Sequence, residues 1–245
     1  MIIKAAINGG RNKEDHPATP INAQEIAADA RRMLLAGSDV VHAHARTADG
    51  GQTIAGEHIG AMVEAVRRAA PGVTIGTTTG LWTCSGHQER MSLIRSWPWY
   101  AQPDFASVAF CEEGAAEAAA LVLAQGMELE SAVWAMEDVP SLLASDTLHQ
   151  NIRILIEPQE TDPQEAVRSA RMMAAAIREA GVTCPLLYHG DEATVWAVLD
   201  AAIEDGCEVR IGLEDGKNLP DGSPARDNVE LLLAARARMA AHQPA

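Results

Sequence analysis

The sequence predicts a (β/α)8 barrel of the TIM type, built by residues 1–245 as a single domain. Three observations point there. Eight short β-rich segments alternate with helical ones along the whole chain, which implies a parallel sheet with helices outside it. No linker, low-complexity segment or break in composition interrupts the series, and eight such units in 245 residues is the size of one barrel. The competing architecture, a doubly wound open sheet, usually carries a glycine-rich turn after its first strand. Asn8-Gly9-Gly10-Arg11 does not match that G-x-G-x-x-G pattern.

The first predicted strand is IIKAAIN (2–8), followed by a polar loop. Residues 23–36 then place Ile26, Ala30, Met33 and Leu34 on one stripe, with Asn22 and Glu25 spaced as a capping box and Gly37 as the stop. DVVHAHA (39–45) is the second strand and VTIGTTT (73–79) the third. A weaker helix over 85–97 leads into the loop Trp97-Pro98-Trp99-Tyr100. FASVAF (105–110), SAVWAM (131–136) and RILIEP (153–158) are strands four to six. Asp162-Pro163, an N-cap followed by a first-turn proline, opens a helix over 163–180 that stops at Gly181. PLLYHG (185–190), a helix over 191–205, EVRIGLE (208–214) and a helix over 227–241 complete the series.

The balance of 34 acidic against 19 basic residues gives a formal charge of −15, which repels nucleic acid and anionic lipid. No run approaches the ~18 apolar residues of a membrane span, and the N-terminus lacks a signal peptide's apolar core. Cys84, Cys111, Cys184 and Cys207 are scattered without Cys-x-x-Cys spacing and read as reduced thiols. The expectation is a cytoplasmic protein acting on small molecules.

In this fold the chemistry sits at the C-terminal ends of the strands. Those ends carry Asn8, His44 with Arg46, Thr77 to Thr79, Cys111 with Glu112, Glu137, Glu157, His189, and Glu214 with Asp215. Side chains alternate along a strand, so in VVHAHAR the histidines His42 and His44 share one face with Arg46. Val41, Ala43 and Ala45 share the other, which suits the helix layer. In VRIGLED the same alternation turns Val209, Ile211 and Leu213 outward, leaving Arg210, Gly212 and Glu214 inside, with the glycine leaving room in the mouth. Two imidazoles and a carboxylate on neighbouring strand ends match the three protein ligands of a catalytic zinc, which keeps a fourth position for water or substrate. A single inward histidine would read as a hydrogen-bonded core residue; two beside a carboxylate favour a metal held by His42, His44 and Glu214. His189 could serve as a further ligand, but with three protein groups already on the zinc it reads as facing the substrate or supporting the metal's ligands. Arg46 lies one position too far out for the metal and is expected, with Asn8, to contact an anionic substrate. His16, His58, His87, His149 and His242 fall on helices and loops, where solvent exposure is expected.

Two other barrel chemistries fit less well. Amidohydrolase-type sites usually carry His-x-His on the first strand and a Lys or further His on middle strands, and neither holds here. A phosphate site after strands seven and eight would meet Asp191, Glu192, Glu214 and Asp215.

Taken together, NGGRNKEDHPATP, VHAHAR, TTTG and VRIGLEDG resemble the β-keto acid cleavage enzymes, nearly end to end. The resemblance implies a TIM barrel with one catalytic zinc that converts a β-keto acid and acetyl-CoA into acetoacetate and a new acyl-CoA, in a homo-oligomer, dimer or tetramer. It assigns the zinc to His42, His44 and Glu214. Arg210 and Asp215 match a pair credited with proton transfer and orientation, although an inward Arg210 equally suits a structural ion pair, with Glu157 for example. Glu14 matches a carboxylate that contacts an amino-bearing substrate in the founding member, and Thr78 falls where that enzyme has a serine near its substrate. SVAFCEEG departs from the pattern, with Ala109 and Phe110 where polar residues are common. Arg11, Lys13, Arg46 and Lys217 are expected to form a positive rim for the polyanionic CoA. The alternative is a metal-dependent lyase or hydrolase of this fold that works without CoA.

Overall fold

Strand alternation decides where each side chain goes, and the computed structural model, which describes residues 1–242, follows it closely. β1 (Ile3–Ala6), β2 (Val40–His42), β3 (Thr74–Thr78), β4 (Phe105–Ala109), β5 (Glu128–Val133), β6 (Asn151–Ile156), β7 (Leu186–Tyr188) and β8 (Glu208–Ile211) pair in parallel with their sequence neighbours. β1 also pairs with β8, so the sheet closes into the (β/α)8 barrel the sequence predicts. The outer layer comprises α1 (Ala23–Ala36), α2 (Gly56–Ala69), α3 (His87–Arg95), α4 (Ala115–Ala124), the short α5 (Val139–Leu143), α6 (Pro163–Glu179), α7 (Val195–Glu204) and α8 (Asn228–Ala241). Among the described residues no helix is long and apolar enough to cross a membrane.

The caps are where the sequence places them. The Asn22 side chain accepts from Glu25 N, and Asp162 accepts from Gln164 N and Glu165 N. Strand five is displaced from its expected position: it starts at Glu128 rather than at residue 131. Glu130 breaks the apolar pattern there, yet it points into the barrel and is neutralised by Lys4 and Arg153. Beyond Val133 the chain turns away, because Trp134 N and Ala135 N both donate to Asp138 Oδ2.

Outward strand residues such as Val41, Ala43, Val209 and Ile211 belong to the main core beneath the helices. Inside the barrel, Ala109, Ala132, Leu155 and Leu187 form a small apolar layer of their own, with Trp134 packed on it. Toward the N-terminal strand ends lies a buried ionic layer. Lys4 and Glu130 are wholly buried and paired, Lys4 Nζ stands 5.1 Å over the Phe105 ring, and Arg153 Nε reaches Glu208 at 2.7 Å. His42, at the C-terminal end of β2, and Glu214, after β8, lie at the opposite end.

Asn228, at the start of α8, ties that end together. Its amide donates to Ile7 O and to Asp29 Oδ2, and its oxygen accepts from Leu213 N. Burial pushes the Asp29 carboxyl up to about 6, against the Asn228 hydrogen bond and the Arg32 charge, which lower it. An acid with a raised pKa in the folded state favours folding when protonated, so its contribution is lost as pH rises from 3.8 through 6. Asp29→Asn keeps an acceptor for Asn228 without the buried charge. Urea unfolding should show it about 1–2 kcal/mol more stable than wild type at pH 7.5, with the gap closing toward pH 4.5. A constant gap across that range would contradict the assignment.

Candidate active site

His42 and His44 point inward from β2 and its extension, and their Nε2 atoms lie 3.1 Å apart. Glu214 Oε1, on the turn after β8, is 3.6 Å from His42 Nε2 and 3.4 Å from His44 Nε2. Donors around a tetrahedral ion with bonds of ~2.0–2.1 Å lie about 3.3–3.4 Å apart. This triangle therefore has the size of one face of such a shell, and it is the one such group of three or more among the described residues. Both histidines present Nε2 to this triangle, and Glu214 Oε2 is buried without a hydrogen-bond partner, which leaves that carboxylate an unused acceptor.

The protonation pattern suits a metal as well. His44 Nδ1 lies 2.6 Å from Gln52 Oε1, which also accepts from the donor-only Trp82 Nε1 at 3.2 Å. That oxygen fixes the proton on His44 Nδ1 and leaves Nε2 bare. Burial drives the His42 pKa well below the usual range, so its ring is neutral despite the pull of Glu214. Burial would raise Glu214, but Arg210 and the two histidines outweigh it and hold the carboxyl well below the usual range.

Local folding explains how these groups meet. Asn8 brackets His44: its oxygen accepts from His44 N (2.8 Å) while its amide donates to His44 O (2.9 Å) and Pro20 O (3.1 Å). After β2 the chain makes a tight turn through Thr47-Ala48-Asp49-Gly50 and returns antiparallel, bridging Arg46 to Gln52. The return carries Gln52 back to His44. Gly9 has φ +48°, and a Cβ there would fall 2.2 Å from Glu214 Cγ, so glycine is what lets Glu214 enter the site. Gly212 has a different reason from the one the sequence suggests. A Cβ there would fall 1.9 Å from Ala6 O, so the glycine makes room for that carbonyl rather than for the mouth.

A second ionic group adjoins the triangle. Arg210 Nη2 donates to Glu214 Oε1 and to Asp215 Oδ1, each at 2.6 Å, and its Nε lies 3.1 Å from both Asp215 oxygens. Burial alone would lower the Arg210 pKa, but Asp215 and Glu214 raise it, so its charge is permanent. His189 Nε2 is 2.9 Å from Glu157 Oε1, and its Nδ1 is 3.6 Å from Asp215 Oδ1. Glu157 would be raised by burial, yet His189 and then Arg210 lower it. These groups line one cleft of about 310 Å³, with a smaller inner extension that reaches Thr78, Ser107 and Ala109.

Of the residues singled out from sequence, His42, His44, Thr78, His189, Arg210, Glu214 and Asp215 come together around this cleft. Asn8 and Arg46 are bonded to backbone and do not line this cleft. Both polar ends of the Asn8 amide are used by backbone. Arg46 is buried, with its guanidinium donating to the carbonyls of Gly9, Arg11 (2.8 Å) and Gly50 (3.1 Å). Glu14 is exposed on a neighbouring cleft that also contains Asn12 and Lys13, away from the triangle. The positive rim is mostly consumed: Arg11 pairs with Glu192 at 2.6 Å and Lys13 with Glu25 at 2.8 Å. Arg210 pairs with Asp215 and Glu214; Glu157 takes His189. His16 is not a solvent-exposed histidine; it is buried with Nε2 on Ala225 O at 2.8 Å. Sequence reasoning missed Gln52, Trp82 and Trp134, and the only available signal was a Gly-Gly turn shortly before Gln52.

A family model described as beta-keto acid cleavage enzyme matches residues 1–244. The chain is 27% identical to the 3-keto-5-aminohexanoate cleavage enzyme of Fusobacterium nucleatum, across 95% of this chain and 88% of that one. It is 31% identical to the 3-oxoadipate:acetyl-CoA acetyltransferase of Cupriavidus necator, over 44% of this chain and 36% of that one. Among solved structures, the binary complex of ObcA with oxaloacetate superposes with a TM-score of 0.74 at 18% identity, over 90% of this chain. This chain spans 63% of the ObcA chain's length, and at that identity the likeness concerns the fold.

Proposed function

The chain belongs to the β-keto acid cleavage enzyme family, and from that premise we propose a zinc-dependent enzyme that turns a β-keto acid and acetyl-CoA into acetoacetate and a new acyl-CoA. One observation carries the reading. The donor triangle of His42, His44 and Glu214 and the Arg210–Asp215 pair open onto the same cleft and touch through the 2.6 Å contact of Arg210 with Glu214.

Zinc held by the two imidazoles and the carboxylate would supply a Lewis acid for the ketone oxygen and for the enolate charge that develops there. Asp215 is the base that takes a proton from C2 of the keto acid. Arg210, bonded to that carboxylate through Nε and Nη2, keeps it in place. The resulting carbanion forms a bond from C2 to the acetyl carbonyl carbon, and the acetyl C–S bond breaks. The released thiolate adds to the original ketone carbon; the C2–C3 bond then breaks, leaving the acyl group on sulfur, and protonated Asp215 returns its proton to C2. Nothing is oxidised or reduced. The Thr78 hydroxyl oxygen accepts from Gly80 N at 3.0 Å, which leaves its O–H to donate to the substrate carboxylate. His189, held by Glu157, orients the substrate opposite Asp215.

A homo-oligomer, dimer or tetramer, and a cytoplasmic location complete the proposal. Exposed Trp99 and Tyr100, stacked edge to face, offer apolar surface for the first, and four free cysteines suit the second. The deciding experiment incubates the protein with a β-keto acid panel, with and without acetyl-CoA, and follows acetoacetate. Formation is expected only when both substrates are present. Turnover that ignores acetyl-CoA would favour a lyase or hydrolase and sink this reading.

A further inference from the structure

The cleft has two unlike halves. β2, β6, β7 and β8 supply the charged half, while the sector of β3 to β5 supplies Trp82, Trp134, Ala109 and Ala132. The two indoles face one another with ring centroids 6.1 Å apart and planes tilted by 33°.

Trp82 is half exposed, yet it is firmly placed. Its Nε1 donates to Gln52 Oε1, and its ring stacks over the His44 imidazole at 6.4 Å. The turn that carries it is anchored by Leu81 N donating to Glu112 Oε1 at 2.7 Å. Glu112 is in turn held by the wholly buried Arg90, also at 2.7 Å. A large ring kept at a cleft mouth by a buried ion pair is a built wall. Trp134 packs on the inner apolar layer, and its buried Nε1–H has no hydrogen-bond partner among the described residues.

Charged tails find nothing to pair with in this half. Arg210 is the one Lys or Arg side chain among the residues lining the cleft, and it already holds Glu214 and Asp215. A second carboxylate on the substrate would be buried without a counter-ion. An ammonium fares little better: Glu14 lies exposed on the neighbouring cleft, Glu214 and Asp215 are held by Arg210, and Glu157 faces His189. Asp191, the remaining carboxylate of the lining, is solvent-exposed 3.5 Å from Arg11.

We propose that Trp82 and Trp134 select β-keto acids whose tail beyond the ketone is uncharged and apolar, with the keto-acid head lying on the charged half. This rests on the reaction proposed above. The test gives the purified protein acetyl-CoA and 3-oxopentanoate, 3-oxohexanoate, 3-oxo-5-methylhexanoate, 3-oxoadipate or 5-amino-3-oxohexanoate in turn. The two longer apolar acids should exceed the dicarboxylate and the amine in kcat/KM by at least about tenfold. Trp82→Ala and Trp134→Ala should each cost the longer apolar acids about tenfold, mainly in KM, and 3-oxopentanoate less than about threefold, with Trp134→Phe restoring most of the loss. Preference for the dicarboxylate or the amine would overturn the inference. So would an equal loss on every acid, which marks a merely structural role. Calorimetric binding of the same acids without acetyl-CoA should give the same ranking. It decides the selectivity even if no acetoacetate forms, an outcome that would fell the reaction and not the wall.

Discussion

His44→Ala protein should leave the column with less than about a tenth of the wild-type metal content and at least ~10³-fold less activity, while its circular dichroism is unchanged. The triangle leaves no substitute donor: among the described residues no fourth histidine or carboxylate completes another group of this kind. His42→Ala should behave alike, since its Nε2 is the other nitrogen of the 3.1 Å pair. Gln52→Ala separates metal holding from ligand count. It removes the acceptor at 2.6 Å that fixes the proton on His44 Nδ1, and metal affinity should fall about 10–100-fold with the site still fillable at high zinc. The graded order of wild type, Gln52→Ala and His44→Ala, read by chelator competition, is a signature that simple unfolding does not produce. Full metal content in the His44 variant would remove the metal centre from these residues.

How much of this was legible in the sequence follows from what fixes each side chain. Alternation along a strand is a local rule, so VVHAHAR and VRIGLED reveal that His42, His44, Arg210 and Glu214 face inward. Barrel closure then brings the two segments together, as the pairing of β1 with both β2 and β8 shows. Loop residues obey no such rule. Gln52 reaches His44 only because the turn after Arg46 folds back on itself. Trp82 is placed by Glu112 and Arg90, 30 and 8 residues further along the chain. Arg46 lies on the predicted face, but a long side chain next to a tight turn finds backbone carbonyls before it finds a substrate. Asn8 likewise sits at the predicted strand end and works on His44's backbone instead of on a ligand. Tetrahedral donor spacing is set by tertiary structure; which residues donate is set by strand period.

The second large effect lies at the opposite end of the barrel. Glu130→Ala should destabilise the protein by about 3–5 kcal/mol, because it strands the wholly buried Lys4 ammonium without its partner. Arg153 retains Glu208 at 2.7 Å and is less affected. Burial already lowers the Lys4 pKa and Glu130 is the main influence raising it, so removing Glu130 depresses it further. For a lysine whose folded pKa lies below its unfolded value of 10.5, the unfolded state binds more protons between the two, and stability rises with pH across that interval. The deficit of Glu130→Ala in urea should therefore shrink from pH 7 toward pH 9. Pairing it with Lys4→Met, and using Leu in place of Ala at 130, removes both charges and refills the volume beside Phe105. That double variant should recover most of the lost stability, since a buried ion pair contributes little over a well-packed apolar pair. If it stays as unstable as Glu130→Ala alone, the ionic layer fixes the register of β1 against β5 across the barrel rather than merely cancelling its own desolvation. In that case the polar floor is a device for specificity, placed where the apolar layer above it has only Ala109, Ala132, Leu155 and Leu187 to offer.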